Sequence, residues 1–426
     1  MSLSKYYGIV KSEGYTRKCS DRDALSKWQN GYYSAQRRAR TCHWDWRRIE
    51  EICEDVKRLL KPHVPLDVRP VDAVRETFAS LSKSAGHSFS GTDYGTKDNI
   101  PDSELYRAEK VLDLHGQGIT QPMPHYKIAF RTQIRKKKAK RRIILISPGP
   151  LAMVEKRWAA PFQAIMELVG PPIGTGFSWF EGSGSRITPL ISPITKSFDF
   201  ESFDNSSPTR LTRLIFDIIA SSFNMSERDE NIFRGIVRSH TYAKANYRGR
   251  VFRLTGGIRT GSSFTHIIGT LTGLIMTRYI FGDVPSYHYG DDFIVKTKLS
   301  IKQACLIASR TSFSLSPTKS KPGISWLGLR LRGTRWVLDD PIKRYAQIFI
   351  PPKRMAFLPR VQAAFLNCGA DPMRLVLKRW LLRKHERRIP HPELDYWFPS
   401  GLETYHPPNG ENSIFNIELV MKRHML

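Results

Sequence analysis

The stretch Ser197–Pro208, SFDFESFDNSSP, and the tetrapeptide Tyr289–Asp292, YGDD, decide how this chain folds. Lys196 to Phe200 reads as a strand that delivers Asp199 at its end, and Asp204 follows five residues later in the turn before a helix. Ser206 and Ser207 ahead of Pro208 read as an N-cap followed by proline at the first helical position. Leu211, Leu214, Ile215, Ile218 and Ile219 then recur at helical spacing, so that helix buries one face. Around YGDD, two strand-like runs flank Gly290, Asp291 and Asp292, a hairpin whose tight turn suits Gly and Asp. Singly, each signal has an ordinary explanation. An Asp pair at a hairpin tip is usually only a turn, and an Asp before a helix is usually a cap.

Brought onto one sheet, a strand-end Asp beside a hairpin-tip Asp pair forms a site for divalent cations. Transfer of a phosphoryl group to a hydroxyl uses two such ions about 3.5–4 Å apart, one activating the nucleophile and one stabilising the leaving oxygen. Magnesium takes hard oxygen ligands, typically one or two carboxylates plus substrate phosphates. Between the acidic clusters lies Gly256–Gly273, GGIRTGSSFTHIIGTLTG, leading into an apolar helix from about Phe264 to Phe281. Gly256, Gly257 and Gly261 let the backbone approach a template or ribose closely. The hydroxyls of Thr260, Ser262, Ser263 and Thr265 gather near the helix N-terminus, where a capped start is the simpler account of any one of them.

Farther out, Val251 to Leu254 reads as a short strand, and residues 1 to about 75 are mixed and basic, with a helix from Asp45 to Leu60 ending before Pro62. Residues 80–102 are rich in Gly, Ser and Asp, as in a functional loop or linker. Arg131 to Arg142, RTQIRKKKAKRR, carries eight basic residues and no acidic one, ahead of an aliphatic strand from Ile143 to Ile146. Beyond Asp339, Pro-punctuated segments lead to a basic helix from Met373 to Arg388. No internal repeat or low-complexity tract interrupts this pattern.

Over 426 residues, 67 Lys and Arg face 39 Asp and Glu, a net charge of +28. Such a surplus favours a polyanionic partner, because each phosphate neutralised releases condensed counterions. A capsid-like or ribosomal protein would concentrate its charge in a disordered arm, and none is present. The hydrophobic share of 40 % supports a large core in two or three domains. Cys19, Cys42, Cys53, Cys305 and Cys368 lack zinc-ligand spacing and read as reduced thiols. The N-terminus lacks a signal-peptide core, and the apolar run around Ile267 to Met276 is too short to span a bilayer. A soluble protein is expected.

In this order, the Asp199–Asp204 stretch, Gly256–Gly273 and Gly290-Asp291-Asp292 resemble palm motifs A, B and C of viral RNA-dependent RNA polymerases. The likeness is to those of partitiviruses and picobirnaviruses, small double-stranded RNA viruses. It extends over roughly residues 80–335. KSAGHSFSGTDYGTK (Lys83–Lys97) is similar to the template-channel loop of motif G, and the basic run before Ile143 to motif F. SLSPTKSK (Ser314–Lys321) is similar to motif D, and SWLGLRLRG (Ser325–Gly333) to the hairpin of motif E. The resemblance implies an α+β right-hand fold with an antiparallel palm sheet backed by helices. It implies an N-terminal extension over 1–75, fingers over 76–190 with a second piece at 225–255, a palm over 191–338 and a thumb over 339–426.

By the same resemblance, Asp199 and Asp291 ligate two magnesium ions, or manganese in their place, with Asp292 assisting. Asp204 accepts a hydrogen bond from the incoming 2′-hydroxyl. Lys138, Lys140 and Arg142, which alternate along one side of an extended chain, hold the triphosphate, with Ser262 and Thr265 also at the nucleotide. Lys319, with Lys321 as its rival, protonates the departing pyrophosphate, and Ser84, Gly86, Lys97 and Gly261 line the template RNA. The implied partners are template and product RNA, ribonucleoside triphosphates and viral capsid protein, with no membrane, in the virion interior or host cytoplasm.

One departure stands out. Where many relatives carry an Asn or Asp that positions the motif A aspartate, this chain has Gly269, and the Asn often found farther along is Gly273. Thr265, Thr270 or Ser262 are the available replacements, and weaker sugar discrimination is expected. Two other classes compete. A reverse transcriptase usually has Ala, Met or Val at the place of Gly290 and a bulky residue where the polar Asp204 stands. A nucleocapsid-type RNA-binding protein would explain the charge but not the ordered carboxylates.

Overall fold

The computed structural model describes residues 3–16, 21–136, 140–177, 183–333, 335–350, 357–366, 368 and 370–386. Its centre is a five-stranded sheet in which Ser286–Tyr289, Asp292–Lys296, Thr195–Glu201 and Ser314–Leu315 lie side by side, with Lys321–Pro322 also paired to Thr195–Glu201. Every pairing in this sheet is antiparallel, as expected. The Asp292–Lys296 strand is buried on both faces, which explains its unbroken apolar run. Phe293 and Val295 join the main core, while Ile294 packs with Tyr287, Trp326 and Phe177 on the other side. Register follows from that burial, since a slip of one residue would turn Phe293 away from the core. Phe293 stands opposite Phe198, their rings stacked with centroids 5.6 Å apart.

Helices back the sheet. Thr265–Phe281 is apolar nearly all round because it is a core helix, with Ile267, Ile268, Leu271, Leu274 and Ile275 fully buried. Among the described residues, no helix is long and apolar enough to cross a membrane. Thr209–Ala220 buries Leu211, Ile215, Ile218 and Ile219, the face its spacing predicts. Its start differs from the Ser-Pro signal: Pro208 itself is the cap, with no side-chain cap bond. The Ser207 carbonyl instead accepts the Gly257 N–H at 2.7 Å, and its hydroxyl pairs with that of Thr212. A distant loop thus overrides the local capping preference.

A second, four-stranded sheet joins Lys140–Ile146, Tyr126–Gln133, Tyr242–Tyr247 and Arg250–Thr255. It is mixed, since Tyr126–Gln133 runs parallel to Tyr242–Tyr247. The expected helix after Asp45 spans Trp46–Leu60, with the Asp45 carboxylate accepting the Arg48 N–H. The basic C-terminal helix spans Met373–Glu386, and the last two residues of its expected range lie outside the described residues. The N-terminal segment divides between two cores. Leu3–Ser12 packs on Pro341–Phe349, with Tyr7 edge-on to Phe349, and Tyr15–Thr16 pairs with Arg135–Lys136. Tyr32, Ile49 and Val56 belong instead to the main core.

Candidate active site

The sheet register sets Asp292 directly opposite Asp199, so the strand end and the hairpin tip meet. Gly290, at φ 63°, turns the hairpin in a conformation that suits glycine, and its N–H is fixed by the Thr270 hydroxyl at 3.0 Å. Ser202 also has left-handed backbone, φ 51° and ψ 38°, which costs a non-glycine residue roughly 1–2 kcal/mol. That turn starts the short helix Phe203–Ser206 and carries Asp204 back toward Asp291 and Arg142. Lys319 Nζ lies 2.5 Å from Asp199 Oδ1.

Carboxyl groups crowd one another at this corner. Asp292 is open to the cleft, yet protein crowds its carboxyl; that withdrawal from water, then the charges of Asp291 and Asp199, push it up to about 7 against the pull of Arg142 and Lys319. Asp204 is likewise open to the cleft and is pushed up to about 6 by the same withdrawal and by Asp291, with Arg142 opposing. Arg142 and Lys319 set positive charge beside these carboxyls. Among the described residues, no group of three or more His, Cys, Asp or Glu side chains is arranged to hold a metal ion. The donor set is instead an open row of hard carboxylate oxygens, which suits magnesium completed by water and substrate phosphates.

Lys321, the rival of Lys319, is held by both oxygens of Asp339 at 2.8 and 2.7 Å, away from the acids. Lys138 lies outside the described residues; Lys140 occupies a strand position opposite Gln133, and Arg142 one opposite Arg131. Arg142 is exposed. The hydroxyls of Ser262 and Thr265, expected at the nucleotide, face protein instead. Ser262 Oγ donates to Glu155 Oε2 at 2.8 Å, and Thr265 Oγ1 donates to the Arg259 carbonyl at 2.6 Å. With Thr270 engaged at Gly290, none of the three expected replacements for the missing Asn bonds to Asp204.

In the Lys83–Lys97 loop, Lys97 Nζ donates to the Ser84 carbonyl at 3.1 Å and the Gly86 N–H to the Ser84 hydroxyl at 3.2 Å, so the loop folds on itself. Gly261 is explained by chain crossing rather than by template, because a Cβ there would sit 1.9 Å from the Leu145 carbonyl oxygen. Sequence reasoning missed Glu155, which is fully buried, accepts from Ser262 Oγ and the Ser263 N–H, and is pushed up to about 7 by burial. Its signal was the one carboxylate in the run LAMVEKRWAAPF, four apolar residues in.

The two departures in the Thr265–Phe281 helix are not equivalent. A Cβ at Gly269 would meet Gly290 Cα at 3.6 Å and the Phe203 ring at 3.9 Å, ordinary contacts, whereas one at Gly273 would press on the Gly290 carbonyl at 2.9 Å. Gly269→Ala should therefore be neutral or stabilising by up to about 1 kcal/mol through helix propensity. Gly273→Ala should destabilise by roughly 1–2 kcal/mol, because overpacking against backbone exceeds that gain. Denaturant unfolding of the two variants checks the opposite signs.

The family model described as viral RNA-dependent RNA polymerase matches residues 68–324. The RNA-directed RNA polymerase of Cryptosporidium parvum virus 1 (strain KSU-1) is 28 % identical over 295 residues, 65 % of this chain and 53 % of that protein. The chain thus spans about half the length of this curated relative. In fold it is similar to an insertion-loop deletion mutant of a human picobirnavirus RNA-dependent RNA polymerase, with a TM-score of 0.66 and 13 % identity over 99 % of this chain and 87 % of that one. It is similar also to the Sicinivirus 3Dpol RNA-dependent RNA polymerase, with a TM-score of 0.59 and 15 % identity over 75 % of each chain. The shared fold is the right hand with an antiparallel central sheet.

Proposed function

The chain belongs to the viral RNA-dependent RNA polymerase family, and from that premise we propose that it synthesises RNA from ribonucleoside triphosphates on an RNA template. The observation that carries this is the pairing of Asp292 opposite Asp199, with Lys319 at 2.5 Å from the Asp199 carboxylate. Asp199, Asp291 and Asp292 would hold two magnesium ions, for which manganese would substitute. When bound, such ions activate the attacking hydroxyl and stabilise the leaving oxygen.

The protein's own groups do the rest. Arg142, exposed beside Asp204 and Asp292, binds the triphosphate, with Lys138 and Lys140 as further contacts from the basic run. The 3′-hydroxyl of the growing strand loses its proton to water as its oxygen bonds to the α-phosphorus and the α–β bridge breaks, and Lys319 Nζ gives a proton to the departing pyrophosphate. Asp204 accepts from the ribose 2′-hydroxyl. Ser262 and Thr265 act by shaping the turn, and Ser84, Gly86 and Lys97 by shaping the template path. The mixed sheet of 126–146 with 242–255 supports fingers made of two pieces, 76–190 and 225–255, around a palm at 191–338. A thumb at 339–426 and an N-terminal extension at 1–75 complete the proposed division.

Template and product RNA are the partners that a charge of +28 suits best. Viral capsid protein is a further proposed partner, and the virion interior or host cytoplasm the proposed location. A primer-free extension assay on a defined RNA template tests the proposal. Incorporation of ribonucleotides should appear with magnesium and vanish on chelation, while RNA binding persists. Binding without incorporation in either condition would favour the nucleocapsid-type alternative. Preference for deoxyribonucleotides would favour a reverse transcriptase.

A further inference from the structure

We propose that Gln36 is a positioning residue for ribose selection, supplying from the Asp21–Thr41 helix the support that Gly269 cannot give. The proposal rests on Asp204 being the ribose contact. Gln36 is 6 % exposed and lies outside residues 68–324, the part of the chain that matches the family. Its Nε2 donates to the Asn205 carbonyl at 2.7 Å and reaches the Ser207 carbonyl at 3.5 Å. The other side of the same turn is tied to the loop ahead of Ser262. The Ile258 N–H donates to the Asp204 carbonyl at 2.6 Å, and the Gly257 N–H to the Ser207 carbonyl at 2.7 Å.

One helical turn before Gln36, on the same face, the Tyr32 hydroxyl bonds the Thr255 carbonyl at 2.9 Å and the Gly256 carbonyl at 3.2 Å. A single helix face therefore grips both the turn that carries Asp204 and the loop that leads into the Thr265–Phe281 helix. The seam is tight: a Cβ at Gly256 would sit 2.5 Å from Gln36 Oε1, and one at Gly257 would sit 2.9 Å from the Asp204 carbonyl oxygen. Gln36 thus supplies a side-chain donor to a carbonyl of the short Phe203–Ser206 helix that carries Asp204. Without that donor, the Asn205 carbonyl loses its partner and the turn relaxes. Its effect reaches the nucleotide only through Asp204, which makes Gln36 a positioning residue and not a catalytic one.

The test compares kcat/KM for a ribonucleoside triphosphate and its 2′-deoxy analogue in Gln36→Met, which keeps the volume without the donor, and in Gln36→Asn, which withdraws the donor by one methylene. Both should lower ribonucleotide use by about tenfold and leave deoxyribonucleotide use nearly unchanged, so the ratio narrows. Leu25→Ala, a core truncation on the same helix, should lower the melting temperature but keep the ratio. If Gln36→Met fails to fold, Gln36→Asn carries the comparison. The inference is overturned if the ratio stays at wild type in the folded Gln36 variants while Asp204→Ala narrows it. If Asp204→Ala leaves the ratio unchanged, the Asp204 assignment has failed, and this inference falls with it.

Discussion

Replacing Asp291 with alanine is expected to cut nucleotide incorporation by about 10³-fold or more, with folding and RNA binding close to wild type. Asp291 is exposed at the hairpin tip, where the turn is held by the Gly290 N–H on Thr270 and not by the Asp291 side chain. Its charge raises the carboxyls of both Asp292 and Asp204, so its removal relieves repulsion in the folded state. Stability should hold or rise slightly. On the proposed two-ion reading the loss is then chemical, since the remaining carboxylates would no longer hold both ions. Single-nucleotide extension, a melting curve and RNA binding in chelator separate these effects. Activity within tenfold of wild type would remove Asp291 from the site.

The second large effect concerns sugar choice. A site built to hydrogen-bond a hydroxyl can reject the analogue lacking it by ~10⁴-fold, because its own polar group is left unpaired. Asp204 is open to the cleft, so water can partly replace a missing 2′-hydroxyl. Discrimination about a hundredfold lower is the consequence: about 10²-fold in all, worth about 2.7 kcal/mol. Asp204→Ala should lower ribonucleotide use far more than deoxyribonucleotide use and bring the ratio within about tenfold of unity. Competition between paired ribo- and deoxyribonucleotides on one template measures it. An equal fall in both would make Asp204 a structural element of its turn, and sugar selection would have to lie elsewhere.

Much of this protein was legible before any tertiary contact was known. The strand at Asp199, the YGDD hairpin, the apolar Thr265–Phe281 helix and the aliphatic strand from Ile143 rest on period and turn chemistry, which are local. The ordered acidic clusters pointed to one sheet because a hairpin tip and a strand end can share an edge. Only the fold put Asp292 opposite Asp199, since register depends on which face the core buries. The motif D likeness placed Lys319 ahead of its rival Lys321; only the fold pairs Lys321 with Asp339 and Lys319 with Asp199. The hydroxyls of Ser262 and Thr265 looked free, but Glu155 and the Arg259 carbonyl take them, because a buried polar group is paired wherever a partner is in reach. Gln36 carried no signal at all. Its partner at Asn205 is 169 residues away, and a hydrogen bond across that separation exists only once the chain has closed on itself.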